Sequence, residues 1–537
     1  MTIARSDPTP LQTTAVDGVV TDPRRQRLIL VAMCTALVAV IASVSGLNVA
    51  QQDLAVDLGA SQGTLLWIIN GYTMVLAALL LPIGAIGDRF GRKQVLLTGL
   101  VVFALANVGA SLATTSTMLL IARITAGAGA AMIMPITLSV ITASFPAGER
   151  GRAVGVWAGF AGAGGILGLF FSSAMIDWFT WPWLFAMPAV LSVVAFAVSV
   201  VAVGNSKEDH GGPFDVVGSV LSAVAIGGLI LGIHEGPERG WSDTLTVLGL
   251  VTGAVALVAF VAWELRRTHP LLDIRVFRDR GLSTGSLNLL LVFAVMFGLF
   301  LVLVQFLQAV LGYSALQASA GLLPMAFVLM PLSTYSPRIA ARVGTKATVL
   351  TGTGLFGVGL AMMATMASVD GGYWSIAPGL MVLAVGMGLV MTPSTTAITE
   401  GLPTEKQGVA SALNDTVREL GGALGVALLG SVLSSGYRSG ISATAEQLPA
   451  ELRQPVEGGI GTALAVSDQL GADAATVVNA AREAFVEGWR TSMWVGVALA
   501  AVAFTYVALR GPARRGAPDP DLELELELEL AAVRVND

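Results

Sequence analysis

GAIGDRFGRK, residues 84–93, stands at a sharp junction between two apolar runs, and PRIAARVGTK, residues 337–346, stands at a second such junction as a degraded copy. A junction used twice divides the chain into two related halves built from membrane helices. Its glycines let two helix ends come close, while Asp88, Arg89, Arg92 and Lys93 put charges where a polytopic chain turns back at the membrane surface. Gly84, Asp88, Arg89, Gly91, Arg92 and Lys93 therefore read as a conformational gate rather than a catalytic centre.

Working outward, the 537 residues are 54% hydrophobic and only 12% charged, with a mean hydropathy of +0.76. That is more apolar side chain than one soluble core can bury, so the surrounding medium is a lipid bilayer. Apolar runs of about 20 residues, enough to cross about 30 Å of hydrocarbon, begin near residues 28, 64, 95, 118, 153 and 182, and again near 214, 244, 282, 317, 347, 374, 408 and 491. The expected fold class is an all-α integral membrane protein with 14 transmembrane helices. Short basic loops stay cytoplasmic. Of the 30 Lys and Arg residues, Arg239, Arg438, Arg453, Arg482 and Arg490 fall on one side, Arg123 and Arg418 lie inside spans, and all others share the opposite side. Both termini are expected in the cytoplasm of a multi-pass protein of the bacterial cell (inner) membrane, the bacterial source being read from the excess of Arg over Lys. The first apolar run is too long for a signal-peptide core and acts as an uncleaved anchor.

Several function classes fall away. Cys34 is the one cysteine, which removes intrachain disulfides and a thiol-based metal site. His210, His234 and His269 show no metal-ligand spacing. The four lysines follow Arg92, Ser206, Thr345 and Glu405, so no Gly-Lys-Ser/Thr loop for a nucleotide exists. The net charge of -6 gives no reason to expect nucleic acid. No cofactor, no metal and no enzymatic activity are expected.

The plan reads six, two, six. A cytoplasmic tail, 1–27, precedes an N-terminal six-helix bundle, 28–203, which ends in the polar stretch GNSKEDHGGP, 204–213. A two-helix insert, 214–264, leads to a basic cytoplasmic linker, 265–281, that suits an amphipathic helix or a plain loop equally. The C-terminal six-helix bundle, 282–509, contains an external segment, 435–490, expected to form short surface helices, and a tail, 510–537, whose DLELELELEL repeat reads as disorder.

Ionisable groups inside a span cost about 2.5–3.5 kcal/mol at the helix centre and mark pathways. SALNDTVRELGGALG in span 13 puts Asp415 and Glu419 four residues apart on one helical face, with Arg418 beside them, where one proton can be shared. The alternative is a satisfied bridge from Arg418 to a carboxylate. Arg123 in span four has no acid at its depth in the first three spans, so it meets water, carbonyl oxygens or the span 13 acids. Asn48, Trp67, Asn70, Tyr72, Gln305, Gln308 and Asn414 are candidates to line a substrate cavity, interhelical hydrogen bonding being the other role of each.

These motifs resemble the major facilitator superfamily, and within it the fourteen-helix drug:proton antiporters. The loop signature matches at Gly84, Asp88, Arg89, Gly91, Arg92 and Lys93, and the fourth-helix pattern R-x-x-x-G-x-G at Arg123, Gly127 and Gly129, followed by Pro135. The stretches 305–324 and 415–425 look like the family's C-terminal half. The resemblance covers about residues 28–509 and implies two pseudo-symmetric six-helix bundles. Two departures stand out. Where the first helix of the family carries L-D-x-T-I-V-N-V-A-L-P, this chain reads ASVSGLNVAQQ, with Ser43 at the acidic position. The fifth-helix pattern G-P-x-x-G-G appears as Gly168-Leu169-Phe170-Phe171-Ser172-Ser173, and the following W-R-W as Trp181-Pro182-Trp183.

The resemblance implies a secondary active exporter of drugs or antibiotics working by alternating access, with protons as coupling ion through Asp415, Glu419, Arg418 and Arg123. The polar but mostly uncharged cavity candidates favour small amphipathic or hydrophobic substrates, the lysine contexts leave no nucleotide, and a monomer is the default. Export of an endogenous metabolite or lipid without proton coupling is the competing expectation, and a non-transporting sensor or scaffold the remote one.

Overall fold

A computed structural model describes residues 19–48, 50–60, 62–204, 206, 214–467, 469 and 474–511. The start of the N-terminal tail, residues 207–213 of the polar stretch and the DLELELELEL tail lie outside the described residues. Among the described residues there is no strand. The first half contains α1 (Pro23–Ser45), a 3-10 turn (Gly46–Asn48), α2 (Gln51–Leu58), α3 (Gln62–Phe90), α4 (Arg92–Ser111), α5 (Ser116–Ser144), α6 (Ala147–Trp178) and α7 (Trp183–Ala202). The insert is α8 (Val216–Arg239) and α9 (Thr244–Glu264). The second half contains α10 (Arg280–Gln305), α11 (Ala315–Val343), α12 (Thr345–Met366), α13 (Ala377–Glu400), α14 (Gln407–Ala445), α15 (Ala450–Gly458), α16 (Ile460–Ala465) and α17 (Ala474–Arg510). All but α2, α15 and α16 are long and apolar enough to span, giving the expected 14.

Local chemistry starts many of these helices. Thr115, Asp215, Asp243 and Asp279 accept hydrogen bonds from backbone N–H groups in the first turns of α5, α8, α9 and α10, and Ser314 with Gln317 forms a capping box on α11. The two copies of the junction share one geometry: α3 passes to α4 through Gly91 at φ 112°, and α11 to α12 through Gly344 at φ 95°. Only glycine takes that backbone without strain.

Packing between helices relies on small residues, as expected where lipid supplies no hydrophobic drive to associate. The insert is a glycine-packed hairpin, in which a Cβ at Gly228 would lie 2.9 Å from the Cα of Gly253. Its α8 packs against both α3 and α14, so it straddles the line between the halves; α9 turns Val247, Val251, Val255 and Val258 outward, a face that only lipid suits. Gly425 of α14 sits hard against the backbone of Ala294 on α10, with the Ala294 carbonyl oxygen overlapping the place of a Cβ. Gly425→Ala is therefore expected to cost about 1–3 kcal/mol of overpacking and to lower the melting temperature in detergent. Gly109→Ala, with nothing within 4 Å of its Cβ, is expected not to.

The bundle has two distinct ends. Arg89, Arg92, Lys93, Arg342 and Lys346 mark the basic end, and exposed Trp178, Trp183, Trp241 and Trp374 ring the other at three chain reversals, as expected for side chains at a membrane interface. α14 and α17 are 39 and 37 residues long in all, about 58 and 55 Å at 1.5 Å per residue, and so run on past the aromatic end. Half of the segment 435–490 continues these two helices, and between them lie two short helices, α15 and α16. Small residues at the contact permit the extension, a Cβ at Gly436 lying 2.7 Å from the Cα of Gly488. The linker 265–281 is a loop with one 3-10 turn, Ile274–Arg278, pinned by burial of Leu271 and Leu272.

Candidate functional site

The two halves meet along a seam, and its tightest contacts lie at the basic end. On one side α3 meets α14: a Cβ at Gly84 would stand 2.5 Å from the carbonyl oxygen of Gly408 and 2.7 Å from the Cβ of Ala412. On the other α6 meets α11, with Gly151 against Pro337, Gly155 against Ser333 and Gly159 against Met330. The repeat makes these equivalent, since Pro337 occupies in its copy the place of Gly84.

Charge locks only one of them. Asp88, 2% exposed, accepts from Arg92 Nη2 at 2.8 Å and Nε at 3.0 Å. It also accepts from the backbone N–H groups of Gly408 at 2.7 Å and Val409 at 3.0 Å. Those N–H groups open α14, where a helix leaves unpaired donors and a positive dipole end. A carboxylate from one half thus caps a helix of the other. Arg92 adds a bond from Nη2 to the carbonyl oxygen of Glu405 at 3.1 Å, and Lys93 donates from Nζ to Val200 O at 2.7 Å. In the second copy Ala341 stands where Asp88 does, and among the described residues no ion pair joins α6 to α11. Arg89 is half-buried beside them.

Deeper along α14 lies the acidic pair. Asp415 is fully buried; its Oδ1 accepts from Arg418 Nη1 at 3.2 Å and from Asn414 Nδ2 at 3.1 Å, while its Oδ2 has no partner. Arg418 reaches across the seam to the carbonyl oxygen of Ala161 at 3.4 Å and lies over the rings of Phe293, 4.5 Å, and Trp157, 5.4 Å, which stand on α10 and α6. Glu419 is half-buried and makes no ion pair with Arg418 among the described residues. One acid is therefore tied to the arginine and the other is not.

Arg123 does not join this group. Its Nη1 donates to Ser43 Oγ at 2.9 Å and its Nε to Ile68 O at 3.3 Å, and the guanidinium lies 4.2 Å over the ring of Tyr72. Of the partners open to it in the sequence, a carbonyl oxygen is taken and the span 13 acids are not.

The candidate cavity residues divide. Trp67 and Asn70 are half-buried; Gln305 and Gln308 are exposed beside a π-helical turn, Phe306–Val310. Tyr72 and Asn414 are fully buried and spoken for, Tyr72 donating to Val40 O at 3.1 Å and Asn414 to Asp415. The side chain of Asn48 lies outside what is described. Sequence reading missed Gly408, Val409, Ala161 and Phe293. Only Gly408 left a signal, as a glycine just inside the start of a span, where a carboxylate partner is favoured.

A sequence model described as Major Facilitator Superfamily matches residues 31–426. The multidrug resistance protein Stp of Mycobacterium tuberculosis is 28% identical over 495 residues, covering 90% of this chain and 91% of the relative. The multidrug efflux pump LfrA of Mycolicibacterium smegmatis is 32% identical over 471 residues, covering 85% and 91%. Among solved structures, the proton:xylose symporter XylE superposes with a TM-score of 0.58 at 13% identity, over 90% of this chain and 95% of that one, a likeness of fold alone.

Proposed function

The chain belongs to the major facilitator superfamily, a family of transporters, and from that premise we propose that it exports drugs or antibiotics by proton-coupled antiport, through alternating access of its two halves. The observation that carries the reading is the seam. Asp88 and Arg92 join the halves through a helix cap, a contact that can be made or broken as a unit without disturbing either bundle, and such a two-state element is what alternating access needs. The full-length similarity to Stp and LfrA supplies the substrate class.

Asp415, Arg418 and Glu419 are assigned the proton step, because the free Oδ2 of Asp415 and the unpaired Glu419 are acceptors at the seam. We place the basic end in the cytoplasm, both termini with it, and the protein in the bacterial cell membrane. One chain holds a complete seam, so the transporting unit is a monomer. In proteoliposomes with an imposed pH gradient, ethidium and tetraphenylphosphonium are expected to move against their gradients, and movement indifferent to the pH gradient for both would sink the antiport reading.

A further inference from the structure

Arg123 is a buried cation with no anion. It is 1% exposed, and its three contacts, the Ser43 hydroxyl, the Ile68 carbonyl and the Tyr72 ring face, are all uncharged. Its Nη2 has no acceptor at all. Among the described residues no carboxylate lies within ion-pair distance, and Asp88 and Asp415 are committed to Arg92 and Arg418. The surrounding bonds fix this state. Ser43 Oγ donates onward to Asn107 Oδ1 at 3.3 Å, and Asn107 Nδ2 to Phe103 O at 2.8 Å, so the chain of donors runs away from Arg123 into the backbone and leaves Nη2 aimed at no partner.

The place is a plausible depth for a transported ligand. Arg123 is seven residues into α5 from the aromatic end, about 10 Å; α5 packs against α14, and so does α3, which carries the Tyr72 ring that faces the guanidinium. The guanidinium therefore stands between two helices that form the seam.

We propose that Arg123 is a substrate-binding residue that takes the carboxylate of an anionic amphipathic substrate, the substrate itself supplying the counter-charge that the protein omits at Ser43. A buried guanidinium gains more from a charged, bidentate acceptor than from any contact it now has. Outward movement of a monoanion is also driven by an inside-negative potential, roughly fifty-fold per 100 mV, which adds to what an inward proton supplies. This inference rests on the exporter reading and adds an anionic class to the substrates expected there.

The test is binding of 1-naphthylacetate and its uncharged methyl ester to the full chain in nanodiscs at neutral pH, with tetraphenylphosphonium as comparator. The wild type is expected to bind the acid at least tenfold more tightly than the ester. Arg123→Gln removes the preference and Arg123→Lys keeps part of it. Ser43→Asp also removes it, by placing a carboxylate within the present 2.9 Å reach of Nη1 while the arginine stays; this variant decides the matter if Arg123→Gln does not fold. Equal binding of acid and ester by the wild type, a preference that survives Ser43→Asp, or tighter binding of tetraphenylphosphonium than of the acid overturns the proposal. Those ratios are independent of whether a pH gradient drives transport, so the exporter reading and this one fail separately.

Discussion

Gly84→Val is expected to force the basic end apart. The closed seam brings Gly84 and Gly408 together backbone to backbone, and a side chain at 84 meets the Gly408 carbonyl and the Ala412 methyl at once. Overpacking of this kind costs about 1–3 kcal/mol, and every 1.4 kcal/mol is about tenfold in the ratio of closed to open. Because the cost falls on the closed state alone, the change appears as a population shift rather than as loss of the fold. Spin labels at exposed Gln94 and Ala347, one in each half, should report a longer distance in the variant, and turnover should drop while ligand binding remains. Asp88→Asn should act in the same direction, because it removes the carboxylate charge that Arg92 holds at 2.8 Å and weakens the cap on Gly408 and Val409. Unchanged distances together with a selective loss of binding would show that this contact is not the gate.

Loss of proton-driven accumulation is the second large effect, expected for Asp415→Asn with Glu419→Gln. One charge moving through 100 mV supplies about 2.3 kcal/mol, so a wild-type ratio of roughly fifty-fold should fall to about unity. The amides keep the shape of both side chains and the hydrogen bond from Asn414, and Arg418 retains the Ala161 carbonyl and the faces of Phe293 and Trp157. Glu419→Gln alone, which leaves the Asp415–Arg418 ion pair intact at 3.2 Å, separates coupling from stability. Full gradient-driven transport by the double variant, measured in the same vesicles, removes this cluster from the proton step.

The number and order of spans were legible in the residues because hydrocarbon thickness sets a minimum apolar length for every spanning helix, and 14 helices among the described residues meet it. The turn at residues 84–93 was legible because a stretch so dense in Gly and charge has few other uses at a membrane surface; its role as a gate is what the Gly84→Val experiment tests. The repeat at 337–346 was readable as a degraded copy of the junction, whereas the contact its helix makes was not.

Other features depended on which helices the fold brings side by side. No local pattern says that Asp88 caps α14, because the two are 320 positions apart; that bond exists only once two bundles face each other. The insert had no readable task until α8 was seen to touch α3 and α14. Extension of α14 and α17 past the membrane was hidden because polarity marks where lipid ends, not where a helix does, and glycine contacts between Gly436 and Gly488 carry the pair onward. The fate of Arg123 was likewise tertiary. The sequence determined that it is a charge inside the membrane with no acid at its depth in the first three spans, and the family resemblance put Ser43 at the acidic position. Packing then brought Ser43, Ile68 and Tyr72 around it. Composition and spacing fix what must be buried, whereas the partner a buried charge finds is set by the few ångströms that only close-packed helices define.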